Sequence, residues 1–362
     1  MPPRTARTPT LEALLPPILS NLTSDPPNPY SAHQKALTTT ARLVHSGHGA
    51  LAVEILFAAA RELLKLGEAG SGVELGVRMV EVMGQTGVPV DEKSKAQVQQ
   101  LLALTPAKGN WRKKLADVAV KWSAAGGCPT GDPGLHQYLG ELYHKGELLW
   151  GVTLTPDRLF VPAEAHLLAS GKRDAATLLA ELLFEWSDKG RQDPGPYAVK
   201  GTLPFLAQSP PNVLPASAFL TRFLSLLQSP GSASSGIFLG AAPGPTPSDA
   251  YVELTTSPTL NFLQLALATV ERAPAPGVSG VQARGTDGGV ARDWQQLLAR
   301  YRRIGGSDGV LANPDVNEAL EHISAAVFLI PQRNAGQNDL LQNLMGSLFG
   351  GGGGGLPALG AR

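Results

Sequence analysis

Residues Glu68 to Met79 read EAGSGVELGVRM, and whether these glycines cradle a phosphate or close a helix decides the fold. Gly70, Gly72 and Gly76 give G-x-G-x-x-x-G, one residue off the dinucleotide fingerprint. That fingerprint follows a β-strand, because the strand-to-helix turn is what brings backbone N–H groups to the pyrophosphate. Here the preceding RELLKLGEAG has helical periodicity. The stretch therefore reads as a turn between two helices. Glycine supplies the left-handed geometry that ends the first, and Ser71 caps the second.

The same pattern continues in both directions. ALAVEILFAAARELLKL (Ala50 to Leu66), VELGVRMVEVM (Val73 to Met83) and KSKAQVQQLLALT (Lys93 to Thr105) are amphipathic at the helical period. WRKKLADVAVKWSAA, DAATLLAELLFEWSDKG, SAFLTRFLSLLQ, LNFLQLALATVER and NEALEHISAAVFLI repeat it. Short turn clusters such as HSGHG, GEAGSG and TGVPVDE separate them. So many helices on short connections predict an all-α, right-handed α-solenoid of stacked helix hairpins. LGELY (Leu139 to Tyr143) also fits the core of a tetratricopeptide helix.

Some regions depart from this pattern. Residues 1–29 carry three Pro-Pro pairs, and Pro16-Pro17 splits LEALLPPILSNL. Residues 229–258 are rich in Pro, Gly and Ser around two strand-like pieces, GIFLG (Gly236 to Gly240) and AYVELTT (Ala250 to Thr256). They predict a β-hairpin near 236–256, projecting from the solenoid, with AAPGPTPSD as its loop. Residues 273–290 read as a flexible surface loop and the Gly-rich tail 350–362 as disordered. The solenoid is expected to run as one domain over 30–349.

Bulk chemistry excludes several classes. Lys+Arg and Asp+Glu are both 30, so no net field favours a general nucleic-acid binder. WRKK (Trp111 to Lys114) and RYRR (Arg300 to Arg303) read as solvated helix faces. Cys128 is the only cysteine, which fits a reducing compartment and rules out an intrachain disulfide. No secretory signal and no membrane-spanning run is visible, so a cytosolic protein with no direct membrane insertion is expected.

No catalytic constellation stands out. Gly171-Lys172 lacks the upstream glycine of a Walker loop, and no G-x-S-x-G elbow occurs. His136, Glu141 and His144 share a broad helix side, but their spacing is not that of H-E-x-x-H, and His136 reads as structural. No enzyme, cofactor or metal is expected. Glu74 and Glu81 lie seven residues apart on one helical stripe with Arg78 between them. Either they pair with Arg78 within the helix, or they form an acidic docking stripe.

Six motifs in order resemble one family: YSAHQ (Tyr30 to Gln34), GSGVEL (Gly70 to Leu75), GDPGLH (Gly131 to His136), AEAH (Ala163 to His166), LNFLQL (Leu260 to Leu265) and LLQNLMGSLFGG (Leu340 to Gly351). The chain resembles subunit four of the GET pathway for guided entry of tail-anchored proteins, the solenoid counterpart of the mammalian transmembrane-recognition complex. That resemblance implies a cytosolic, non-enzymatic adaptor with two docking halves. The half at about 30–150 would dock on the homodimeric targeting ATPase through Tyr30, Glu74, Arg78 and Glu81. The half at about 151–349 would hold the ubiquitin-like-domain subunit five, which recruits the co-chaperone carrying the client. Ile237, Phe238, Tyr251 and Val252 of the hairpin would face that partner. The chain departs from the family in a first helix without basic residues, in an insertion at Trp150 to Pro162 and in a longer loop at 273–290. A scaffold subunit of a lid-like or initiation-factor-like complex is the alternative, although the chain lacks the winged-helix ending of such subunits.

Overall fold

The computed structural model describes residues 9–149, 157–242, 252–273 and 281–330, with backbone alone at 146–149, 157–161, 241–242 and 281–288. The chain forms two compact units, Met1–Glu185 with Thr221–Phe223, and Trp186–Leu220 with Leu224–Arg362. The expected all-α solenoid of helix hairpins, with one β-hairpin, is the architecture found.

The first unit opens with α1 (Leu11–Leu14) and α2 (Pro16–Thr23). The proline pair ends one helix and starts the next, because proline tolerates the first helical turn but not the interior. α2 nevertheless buries Ile18 and Leu22, so part of the proline-rich segment is packed. There follow α3 (Pro29–His45), α4 (Gly49–Lys65) and α5 (Ala69–Gln85), each 17 residues long. Their ends share one device. Gly47, Gly67 and Gly87 adopt φ of +81°, +81° and +67°. The N–H of the next residue then reaches back to the third-last helical carbonyl, as in His48 to Leu43, Glu68 to Leu63 and Val88 to Met83. This is the Schellman closure, which only a residue free to take positive φ completes without strain.

The turn glycine is therefore Gly67, the residue just before the opening stretch. Gly70, Gly72 and Gly76 lie inside α5, and Ser71 caps nothing: the N-cap position is Glu68, with no side-chain cap bond. The helical glycines serve close packing instead. A Cβ on Gly72 would stand 2.6 Å from Leu64 Cγ, and one on Gly76 would meet Leu101 and Leu115 at 3.3 and 3.4 Å. α6 (Glu92–Leu104), started by a capping box of Asp91 and Ser94, and α7 (Trp111–Ser123) supply those leucines. α8 (Pro133–Leu149), α9 (Asp157–Ser170) and α10 (Arg173–Lys189) follow.

The second unit contains α11 (Pro194–Leu206), α12 (Val213–Leu227, whose residues 221–223 belong to the first unit), β1 (Phe238–Ala242), β2 (Val252–Thr255) and α13 (Pro258–Glu271). α14 (Val281–Gly305) and α15 (Pro314–Phe328) complete it. Phe205, Phe219, Phe262 and Trp294 are fully buried here. α14 begins at Val281, so the surface loop expected over 273–290 is partly helix. Three glycines at 285–289 argue against helix by propensity at roughly 1 kcal/mol each, but the segment continues into the amphipathic stripe that buries Trp294 and Leu298.

Candidate partner-docking surfaces

On the first unit, one face gathers motifs that are far apart in sequence. Asn28 caps α3 by accepting from Ser31 N–H at 2.9 Å, and Pro29 fills the first helical position. Tyr30 therefore stands at the helix start, with its side chain 72% exposed. One turn on, His33 is buried, and its Nε2 lies 3.3 Å from Glu74 Oε2 on α5. The pair is within ion-pair distance but is not aligned as a hydrogen bond. Arg78 Nη1 donates to Glu81 Oε2 at 3.1 Å. Of the two intrahelical pairs expected, Arg78–Glu81 forms, whereas Glu74 turns towards α3. Glu74 thus meets α3 through His33, a residue the sequence reading did not single out, while Arg78 and Glu81 pair separately on α5. The only signal for His33 was its place in YSAHQ.

On the second unit the hairpin forms where expected. β1 and β2 pair antiparallel with Phe238 opposite Thr255 and Gly240 opposite Leu254. The register shifts between Phe238 and Gly240, leaving Leu239 as the bulged residue. Ile237, Phe238 and Val252 are half-buried, and Tyr251 lies outside the described residues. The exposed apolar side chains are Leu239, at 67%, and Leu254. The far edge of β2 is held by α13. Glu253 N–H donates to Gln264 Oε1 and Gln264 Nε2 donates to Glu253 O, both at 2.8 Å. Thr255 N–H donates to Asn261 Oδ1 at 2.9 Å, and Asn261 Nδ2 donates to Thr255 O at 2.7 Å. Two amide side chains from LNFLQL thereby act as a surrogate strand, leaving no unpaired edge on that side of β2.

The histidines of GDPGLH and AEAH meet inside the first unit. His136 Nε2 donates to Thr130 O at 2.9 Å, which leaves Nδ1 as acceptor for His166 Nδ1–H, also at 2.9 Å. Tyr143 stacks on His166 with ring centroids 5.6 Å apart. Burial pushes His166 down to about 3, reinforced by His136, and lowers His136 as well. The same burial raises Tyr143 to about 12. Both imidazoles are structural, as read for His136. His144 and Glu141 do not join them: Glu141 accepts from Gln137 Nε2 at 3.1 Å. Among the described residues no group of His, Cys, Asp and Glu is arranged to hold a metal ion. No helix of the described residues is long and apolar enough to cross a membrane.

The family described as Golgi to ER traffic protein 4 matches residues 47–349. Golgi to ER traffic protein 4 of Aspergillus fumigatus is 27% identical over 341 residues, covering 89% of this chain and 86% of its own. The Homo sapiens Golgi to ER traffic protein 4 homolog is 24% identical over 324 residues, with coverage of 89% and 82%. The crystal structure of C. therm. Get4 matches with a TM-score of 0.70 at 28% identity, covering 97% of this chain and 99% of that one. A family match over most of the chain, together with a fold shared along nearly its whole length, makes this chain a member of the Golgi to ER traffic protein 4 family.

Proposed function

We propose that the chain is a non-enzymatic cytosolic adaptor of the GET pathway. In this reading it bridges the homodimeric targeting ATPase to the ubiquitin-like-domain subunit five, and through it to the co-chaperone carrying tail-anchored clients. Family membership supports the pathway, and the two-partner bridge is the finer reading. Its main support is the continuity of Tyr30, His33 and Glu74 across α3 and α5. An exposed tyrosine beside a half-exposed carboxylate row has the composition of a recognition surface. The hairpin, with Leu239 and Leu254 outward, offers the second partner an apolar surface of its own.

An adaptor without chemistry biases an ATPase only by binding one nucleotide state better than the other. Calorimetric titration of the chain, complexed with subunit five, into the ATPase with and without ATP tests this. Tighter binding to the ATP-loaded form is expected. The Glu74→Lys/Glu81→Lys variant should bind the ATPase at least about tenfold more weakly, with its subunit-five complex intact. Unchanged affinity in that variant would remove the carboxylate row from the interface.

A further inference from the structure

We propose that a cleft at Trp111, at the start of α7, docks an acidic linear segment carrying an apolar side chain. The site uses none of Tyr30, Glu74, Arg78 or Glu81, and so does not depend on the reading above. The tetrapeptide WRKK was expected to be a solvated helix face, and the structure divides it. Arg112, the charged residue, turns inward and is only 9% exposed, whereas Trp111, the apolar one, is 40% exposed. This inverts what transfer energies favour for the two side chains.

The cause is local. Arg112 Nη2 donates to Thr105 O at 2.8 Å, satisfying a carbonyl at the end of α6, where a cation is favoured. That bond sets the rotation of α7. Its first residue, Trp111, is left on the outer side, with its indole against the backbone of Gly70 and Gly109. Cβ atoms built on those glycines would stand 3.6 Å from the ring. Neither residue has a side chain to cover it. Among the described residues, no acceptor takes the Trp111 Nε1–H.

The surrounding charge identifies the occupant. The cleft, of about 570 Å³, is lined by Gly109, Asn110, Trp111, Lys113, Lys114 and Asp117. Lys113 is bound to Asp117 at 2.6 Å. Lys114 and the adjacent exposed Lys108 have no carboxylate partner among the described residues. Unpaired ammonium groups around an indole with a free N–H suit carboxylates flanking an apolar anchor. Lysines this few do not make a nucleic-acid track, which needs many phosphate contacts. Asp117 in the lining would be repelled by a uniformly anionic bilayer, whereas a discrete peptide can avoid it.

The test is fluorescence anisotropy of the full chain with a short labelled peptide of Asp and Glu around one Phe. Its Asn/Gln counterpart, phosphatidylserine vesicles and single-stranded RNA serve as competitors. Salt-sensitive binding of the acidic peptide is expected, with loss of about tenfold in Trp111→Ala and at least as much in Lys108→Glu/Lys114→Glu. All three positions are exposed, and circular dichroism checks that the variants are folded. Absence of binding, equal binding by the variants, or displacement by vesicles or RNA but not by excess unlabelled peptide would overturn the proposal.

Discussion

The Asn261 side chain and the Thr255 backbone exchange two hydrogen bonds, one in each direction, at 2.9 and 2.7 Å. With the matching pair between Gln264 and Glu253, this gives β2 a partner on both sides from a chain that has only two described strands. A two-stranded hairpin alone is marginal in water. Here the helix supplies the missing third strand.

Replacing Asn261 and Gln264 by leucine should therefore release β2 without unfolding α13. Four backbone groups would lose their partners, and each such bond contributes about 1 kcal/mol. Hydrogen exchange at the Glu253 and Thr255 amides should accelerate by at least about tenfold. Subunit-five binding should weaken with it. Unchanged exchange at those two amides would show that β1 alone orders the strand.

The glycines of α5 should respond with opposite signs. Gly84→Ala has nothing closer than 3.9 Å and should stabilise by up to about 1 kcal/mol through helix propensity. Gly72→Ala drives a methyl to within 2.6 Å of Leu64 and 3.2 Å of the Ala60 carbonyl, and should destabilise by about 1–3 kcal/mol. In the second unit Gly201→Ala should cost more still, because its Cβ would overlap the fully buried Phe219 ring. Thermal melts of the three variants decide the order.

Acid sensitivity should trace to the buried histidine pair. His166 is held neutral in the fold, with its pKa pushed down to about 3, whereas in the unfolded chain it titrates near about 6.5. Between these values the unfolded state binds the extra proton. Stability is thus full above about pH 6.5 and is lost as pH falls towards about 3. The melting midpoint should decline across that window. His166→Asn, which keeps an amide donor towards His136, should flatten the decline while lowering the midpoint at neutral pH. Equal slopes would assign the acid lability to other groups.

Trp294 Nε1 donates to Ser324 Oγ at 2.8 Å in the core of the second unit. Ser324→Ala leaves the indole donor buried and unpaired, and should cost about 1–3 kcal/mol. Denaturant unfolding followed by circular dichroism measures it.

The helices were legible because each buries one apolar stripe, and periodicity is a local property. The hairpin was legible because Ala250 to Thr256 and Gly236 to Gly240 are bracketed by turn residues. What escaped was set by neighbours distant in sequence. A glycine that closes a turn and one that lets two helices approach look alike in a string, so Gly67 was passed over in favour of Gly70 and Gly72. Asn261 and Gln264, three apart on a helix, resemble any solvated face until β2 lies beside them. His136 and His166 are thirty residues apart, and no spacing rule pairs them. Arg112 left the solvated face expected of WRKK because Thr105, seven residues before it, offers a carbonyl to its guanidinium.

The equal lengths of α3, α4 and α5, each closed by its own left-handed glycine, turn the first unit into a ruler. Tyr30 and Gly70 are each the second residue of their helix, and Trp111 is the first of its own. A step of about forty residues along the chain is thus one lateral step across the same side of the unit. Lengthening the chain by a whole hairpin would shift this side along and keep its composition. A single residue inserted within α4 would rotate everything beyond it by about 100° and carry the tyrosine and the carboxylate row out of line. Sequence length between the helices is therefore under the same constraint as the side chains themselves.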